Sequence, residues 1–245
     1  EQNRMDIMTN NLANASTVGY KKEGSTSQSF DDVLTVKIKD QSVGMRNAQK
    51  IGIKNPGVKI GENYTDYSQG SFRITGNTYD LALSGEGFFA IEFTNKAGET
   101  DTKYTRAGQF TLNKDGYLVT EEGDYVLDTQ NRRIRLNTLI DSSITDDGTI
   151  YQNGQAIAKI QVTDFADYDY LEKYGETYYQ PIQGAQTIAS NAQVKSGYLE
   201  MANVQIVSEM VNLISITRAY ESNQKVVQTI DDTLDVAVNQ IGRVQ

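Results

Sequence analysis

From Asn203 to Ile241 the chain contains neither proline nor glycine, and apolar residues return in alternating steps of four and three. The positions are Ile206, Met210, Leu213, Thr217, Tyr220, Gln224, Val227, Asp231, Leu234, Val238 and Ile241, eight of the eleven being apolar. Such steps keep side chains on one face of an α-helix. A helix over these 39 residues extends about 58 Å at about 1.5 Å per residue, longer than a small domain covers. Full cover of the eight apolar side chains is worth about 10–20 kcal/mol, so the stripe demands a partner surface. Two partners stay open: other chains, or the chain's own remaining residues. Three polar seam residues, Thr217, Gln224 and Asp231, suit the first, because buried polar positions fix register in an assembly. Val207, Val211 and Ile214 form a second stripe that widens the face and favours a bundle over a simple dimer. On the helix surface Arg218 pairs with Glu221, and Glu221 with Lys225, at helical spacing.

The other end of the chain is helical too. Met5, Met8, Leu12 and Ala15 are spaced three, four and three apart, one helical face over roughly the first 14 residues. Asn10, Asn11 and Asn14 compete for backbone hydrogen bonds, and Gly19 suits a break. The helical pattern is already under way at Glu1, so a start segment is expected to precede it. The two ends together predict terminal helices that pair as a coiled coil with apolar surface to spare.

Between them lie two further regions. Residues 25–69 hold Ser-Thr-Ser-Gln, scattered glycines and Pro56, and read as an extended connector with a short piece at Val33, Val36 and Ile38. Residues 70–198 read as an antiparallel β domain. Phe89, Ile91 and Phe93 alternate with Ala90, Glu92 and Thr94, the period of a half-buried strand. Asp115-Gly116 sets a hairpin between Leu112 and Leu118-Val119. The expected fold is therefore α+β, with domains at 1–24, 25–69, 70–198 and 199–245.

Composition removes most chemistry. The 245 residues include no histidine and no cysteine, which excludes the commonest general base, thiol nucleophiles, the usual zinc sites and disulfides. A net charge of −9 argues against nucleic acid, which needs clustered Lys and Arg. No apolar run is long enough for a transmembrane helix. Gly85-Glu86-Gly87 lacks the rest of a nucleotide fingerprint and reads as a tight bend. The carboxylates Asp164, Asp167, Asp169 and Glu172 lack the glycine and terminal Glu of a calcium loop, which favours a solvated acidic loop over weak cation binding. Asp231 and Asp232 point about 100° apart on a helix and share no site. No catalytic residue, cofactor site or metal site is expected.

"NNLANASTVGYKKE" (10–23) closely resembles the N-terminal signature of the flagellar axial proteins that build rod and hook. The C-terminal stretch resembles the same family's second signature, at Asn203-Val204, Glu209-Met210-Val211, Leu213-Ile214, Arg218, Tyr220-Glu221, Asn223, Lys225, Thr229, Asp231 and Leu234. "SQGSFRITGNTYDLALSGEGFF" (68–89) and "YTRAGQFTLNKDGYLV" (104–119) look like its β-domain motifs. Met201-Ala202 and Thr217 depart from the family's usual residues. The length suits a rod subunit better than the longer hook protein, and the extended connector with the 68–83 motif looks most like the distal rod protein.

The resemblance implies a structural, non-enzymatic subunit of the basal-body rod, exported by the flagellar export apparatus and located outside the cytoplasmic membrane. It implies helical polymerisation with copies of the same chain and with neighbouring rod and hook proteins, the terminal helices lining a hollow core. Alternatives are a hook or proximal-rod component, or a β domain displayed on a coiled-coil stalk for cell-surface binding. The expected assembly interface is Met5, Met8, Asn11, Leu12, Asn14, Met210, Leu213, Arg218, Tyr220, Glu221, Lys225, Val227 and Leu234. Asn11 and Asn14 are expected to end the inner helix, their small neighbours letting adjacent copies pack closely.

Overall fold

The structure, a computed structural model, describes residues 1–31, 33–37, 49–54, 57–95 and 98–238. Ile38, Pro56 and Ile241, named above, lie outside the described residues. Helix α1 spans Gln2–Ala13 and helix α2 spans Ile206–Val236. The chain divides into two compact units, each holding part of both helices.

The first unit takes the described residues of Glu1–Thr9, Glu23–Thr65 and Val211–Gln245. The stretch read as a connector is built of paired strands there. Strand β1 (Glu23–Ser29) and strand β4 (Val58–Thr65) run antiparallel with a bulge between Ser25 and Ser27. Strand β2 (Val33–Lys37) pairs in the same sense with β3 (Gln49–Lys54). In this unit Ile7 and Ile216 are buried, the Met5 sulfur lies 4.0 Å from the Thr217 hydroxyl, and Gln2 donates to the Tyr220 hydroxyl at 3.2 Å.

The second unit takes Asn10–Lys22 and the described residues of Asp66–Met210. Its strands are β5 (Phe72–Ile74), β6 (Leu81–Ser84), β7 (Phe88–Thr94), β8 (Thr100–Thr105), β9 (Phe110–Leu112), β10 (Leu118–Thr120) and β11 (Tyr125–Val126). They continue with β12 (Ser142–Ile144), β13 (Thr149–Gln152), β14 (Gln155–Lys159), β15 (Val162–Phe165), β16 (Leu171–Tyr174), β17 (Tyr178–Pro181), β18 (Thr187–Ala189), β19 (Gln193–Ser196) and β20 (Tyr198–Glu200). The main sheet runs β16-β17-β8-β7-β11-β10-β9, with β15 and β18 attached through β7. Strands β12–β13–β14 form a separate meander, while β19 pairs with β6 and β20 with β5. The hairpin at Asp115-Gly116 is present: Leu118 faces Leu112, and the Asn113 carbonyl oxygen of the side chain accepts from Asp115 N and Tyr117 N.

Strand β7 departs from its alternating pattern. Phe88, Phe89, Ala90 and Ile91 are all buried, because β7 is central and both of its faces are covered. On one side Phe89 joins Leu81, Leu83, Phe110, Leu118 and Ile134; on the other Phe88 joins Tyr104, Phe165 and Tyr179. Edge-to-face ring contacts fasten both layers, Phe89 with Phe110 at 5.2 Å and Tyr104 with Phe165 at 4.9 Å.

The expected coiled-coil-like, tube-lining core of long terminal helices is overturned. Among the described residues there are only two α-helices, the first of 12 residues and the second of 31, and the chain is mostly β-sheet. At about 1.5 Å per residue the described α1 covers about 18 Å against about 46 Å for α2, so the described residues hold no sustained heptads shared by the two. The α1 pattern ends where Asn14 turns back: the side-chain amide donates to the Asn10 carbonyl at 3.1 Å and to the Asn10 side chain at 2.6 Å. Asn203, expected inside the second helix, precedes it, because its side chain is committed to neighbouring backbone.

Candidate functional site

The turn after α1 is fastened inside the second unit by a buried polar hub. Val18 forms a β-bridge with Met201, and Gly19 N donates to the Glu200 carbonyl at 2.8 Å. The next residue, Tyr20, is fully buried and donates its hydroxyl to Asn11 Oδ1 at 3.0 Å, with the Lys173 ammonium 4.3 Å over its ring. Lys21 follows into the interior. Its ammonium meets Glu200 Oε1 at 2.7 Å and the Ser68 carbonyl at 2.7 Å.

Glu200 is the centre of this hub and is fully buried. Besides Lys21 it accepts from Gly70 N at 2.9 Å and from Arg106 at 3.3 Å. Arg106 also donates to the Gly85 carbonyl at 2.8 Å. Burial pushes the Lys21 ammonium below the ordinary lysine value, with the Glu200 carboxylate pulling it back up. A lowered lysine costs stability at neutral pH and returns it as pH rises toward 10.5.

Asn203 completes the fastening. Its Oδ1 accepts from Lys22 N at 2.7 Å, and its Nδ2 donates to the carbonyls of Asp66 at 2.7 Å and Ser68 at 3.1 Å. Lys22 reaches the buried Glu209 at 2.6 Å. The residues quoted for the two terminal signatures thus meet each other within one chain.

The expected interface residues divide accordingly. Asn11 is buried against Tyr20, and Asn14 also donates to the Glu176 carboxylate at 2.7 Å. Met5, Met8, Leu12, Leu213 and Tyr220 are half-buried. Met210, Arg218, Glu221, Lys225, Val227 and Leu234 are exposed, and among the described residues no ion pair engages Arg218, Glu221 or Lys225. Asn11→Ala is expected to cost the isolated chain about 1–3 kcal/mol, since a buried hydroxyl loses an acceptor; urea denaturation measures it.

Within the first unit, α2 carries an uncovered apolar face. Leu213, Ile216 and Tyr220 lie on one line of the helix and are at least half covered. Val227, Ile230 and Leu234 prolong that line by helical spacing, yet each is more than half exposed. From Glu221 to Val238 every residue is exposed. The covered face is rotated from the expected seam, which placed Thr217 and not Ile216 inside. Sequence reasoning missed Lys21, Arg106 and Glu200. The available signal was a carboxylate between Leu199 and Met201 in a strand-like stretch, and two basic residues beside apolar neighbours.

Three family models match, described as flagella basal body rod protein over residues 1–21, flagellar hook protein FlgE/F/G D1 domain over 82–152, and flagellar basal body rod FlgEFG protein C-terminal over 195–241. The chain is 34% identical to the flagellar basal-body rod protein FlgG of Bacillus subtilis (strain 168), over 97% of this chain and 93% of that one. The chain belongs to the flagellar basal-body rod protein family. Rod protein FlgF of Caulobacter vibrioides is 31% identical over 98% of this chain and 92% of its own length, and FlgG of Agrobacterium fabrum 31% over 96% and 93%. This rod-family chain is a structural component of the flagellar basal body, as the resemblance implied. Its hub takes one charge from each matched stretch: Lys21 from the first, Arg106 from the second and Glu200 from the third.

Proposed function

We propose that the chain polymerises helically with copies of itself and joins neighbouring rod and hook proteins, after passage through the flagellar export apparatus, and that it catalyses no reaction. The observation that supports this most is the face of Val227, Ile230 and Leu234, exposed on α2 in line with the covered Ile216. Apolar surface of this kind is stabilised when a neighbour removes it from water. The interface residues expected from the sequence divide between that role and the internal fastening of the turn after α1. The four-part division at 24, 69 and 198 is proposed as the functional one, the terminal segments engaging neighbours. No group of three or more side chains that could hold a metal ion occurs among the described residues.

The test replaces Val227, Ile230 and Leu234 together with serine. The purified variant is expected to keep the wild-type circular dichroism and melting midpoint of its β-sheet while cells lose complete rods and motility. Normal basal bodies in electron micrographs of the variant strain would defeat the proposal. Likeness to FlgG supports a distal place in the rod; a proximal place is the second reading. Cross-linking to neighbours in purified basal bodies separates the two.

A further inference from the structure

The hydroxyl of Tyr178 sits among more acceptors than it has hydrogens. It lies 2.9 Å from Glu122 Oε2, 2.9 Å from Asp124 Oδ2 and 3.2 Å from Thr120 Oγ1. A phenol has one hydrogen. Whichever way it points, at most one carboxylate receives it undivided, and the other ionised carboxylate faces an oxygen lone pair. Tyr178 is almost fully buried, so water supplies little relief on its side. The partners are far apart in the fold: Glu122 and Asp124 sit in the turn between β10 and β11, and Tyr178 opens β17. In the main sheet β8 and β7 lie between them, so the phenol spans the sheet face to reach the turn.

We propose that Tyr178, Glu122 and Asp124 form a proton-operated clasp, in which protonation of one carboxyl supplies the missing hydrogen and binds the 121–124 turn more tightly to the sheet. The added proton makes a carboxylic acid that donates to the phenol oxygen, while the phenol donates to the remaining carboxylate. Every oxygen contact is then a hydrogen bond.

Burial is the main reason that the proton goes to Asp124. Burial pushes its carboxyl above the ordinary aspartate value, and the neighbouring Glu122 charge adds to this, against the pull of Tyr178, the Thr94 backbone and Lys103. Lys103 comes from β8; its ammonium is buried under the rings of Phe93 and Tyr174 and itself lowered by burial. It neutralises Asp124 incompletely. Arg73 and Glu121 line the same cleft of about 300 Å³ as Glu122 and Tyr178. Because the folded Asp124 value is raised, its contribution to stability appears as pH falls through that value and is absent above it. Most carboxylates act in the opposite sense.

Amide hydrogen exchange of the full chain, followed residue by residue by NMR and corrected for intrinsic rates, tests this. The reporters are the amides of Gly123 and Asp124, which donate to the Thr120 carbonyl and hydroxyl within the turn. In the wild type their protection is expected to rise several-fold between pH 7 and pH 4, in step with the Asp124 carboxyl resonance. Asp124→Asn, whose amide donates as the acid does, is expected to show high protection at both pH values. Tyr178→Phe is expected to show low and level protection. Level protection in the wild type, or a wild-type pH response in either variant, would overturn the clasp.

Discussion

Glu200→Ala is expected to destabilise the second unit by about 3–5 kcal/mol, the cost of removing one partner from a buried ionic cluster. The substitution leaves the Lys21 and Arg106 charges, both buried, without their common carboxylate. It also strips Gly70 N of its acceptor. Remaining bonds to the carbonyls of Ser68 and Gly85 solvate the cations only in part. Glu200→Gln keeps the shape and one acceptor oxygen, and should fall between wild type and alanine. Removing all three charges with Lys21→Met, Arg106→Leu and Glu200→Met is expected to be less harmful than Glu200→Ala, because the desolvation of every ion is relieved together. Chemical denaturation of the four proteins gives the ranking. A loss under about 1 kcal/mol for Glu200→Ala, the value of an exposed pair, would show that water reaches the hub.

Gly19→Ala is expected to cost about 2–5 kcal/mol, from two sources that add. Gly19 has φ +69°, where a Cβ costs about 1–2 kcal/mol. A Cβ there would also collide with the backbone of Arg106 and Ala107, which cannot rotate away as a side chain can; such overpacking costs about 1–3 kcal/mol. Gly154 separates the two. Its φ is +76° and nothing lies within 4 Å of an added Cβ, so Gly154→Ala should show only about 1–2 kcal/mol. Equal losses for the two variants would mean that the approach of the Gly19 turn to Arg106 and Ala107 does not constrain the fold.

Much of the local structure was legible in the sequence. The stop after α1 followed from Asn14 and Gly19, and the hairpin from Asp115-Gly116, because the physics of both is contained within a few residues. Strand β7 was legible as a strand but not as a central one. Phe88 to Ile91 alternate in size and polarity only slightly, and cover on both faces comes from strands distant in sequence. The terminal helices misled for a related reason: a 4-3 pattern reports that a face is apolar, not what length of partner meets it. The described α1 has 12 residues against 31 in α2.

The candidate site was legible at its two ends and not at its centre. The motifs at 10–23 and 199–234 were recognisable as stretches, but Lys21, Arg106 and Glu200 each look like an ordinary surface charge when read alone. Their burial depends on three segments meeting, and no local periodicity encodes that. Asn203 shows the same gap. By spacing it is a helix residue; in the structure its amide is spent on Lys22, Asp66 and Ser68.

The bridge from Val18 to Met201 also sets a schedule. Joining residues so far apart in sequence closes a very large loop, and contacts of that kind form slowly because the chain entropy is lost before the contact rewards it. A nascent chain that has not yet reached Glu200 has Lys21 and Arg106 without their common carboxylate, so the turn after α1 has nothing to close on. Until Glu200 and Met201 have been made, the turn at Val18 and Gly19 stays without the backbone partners that close it.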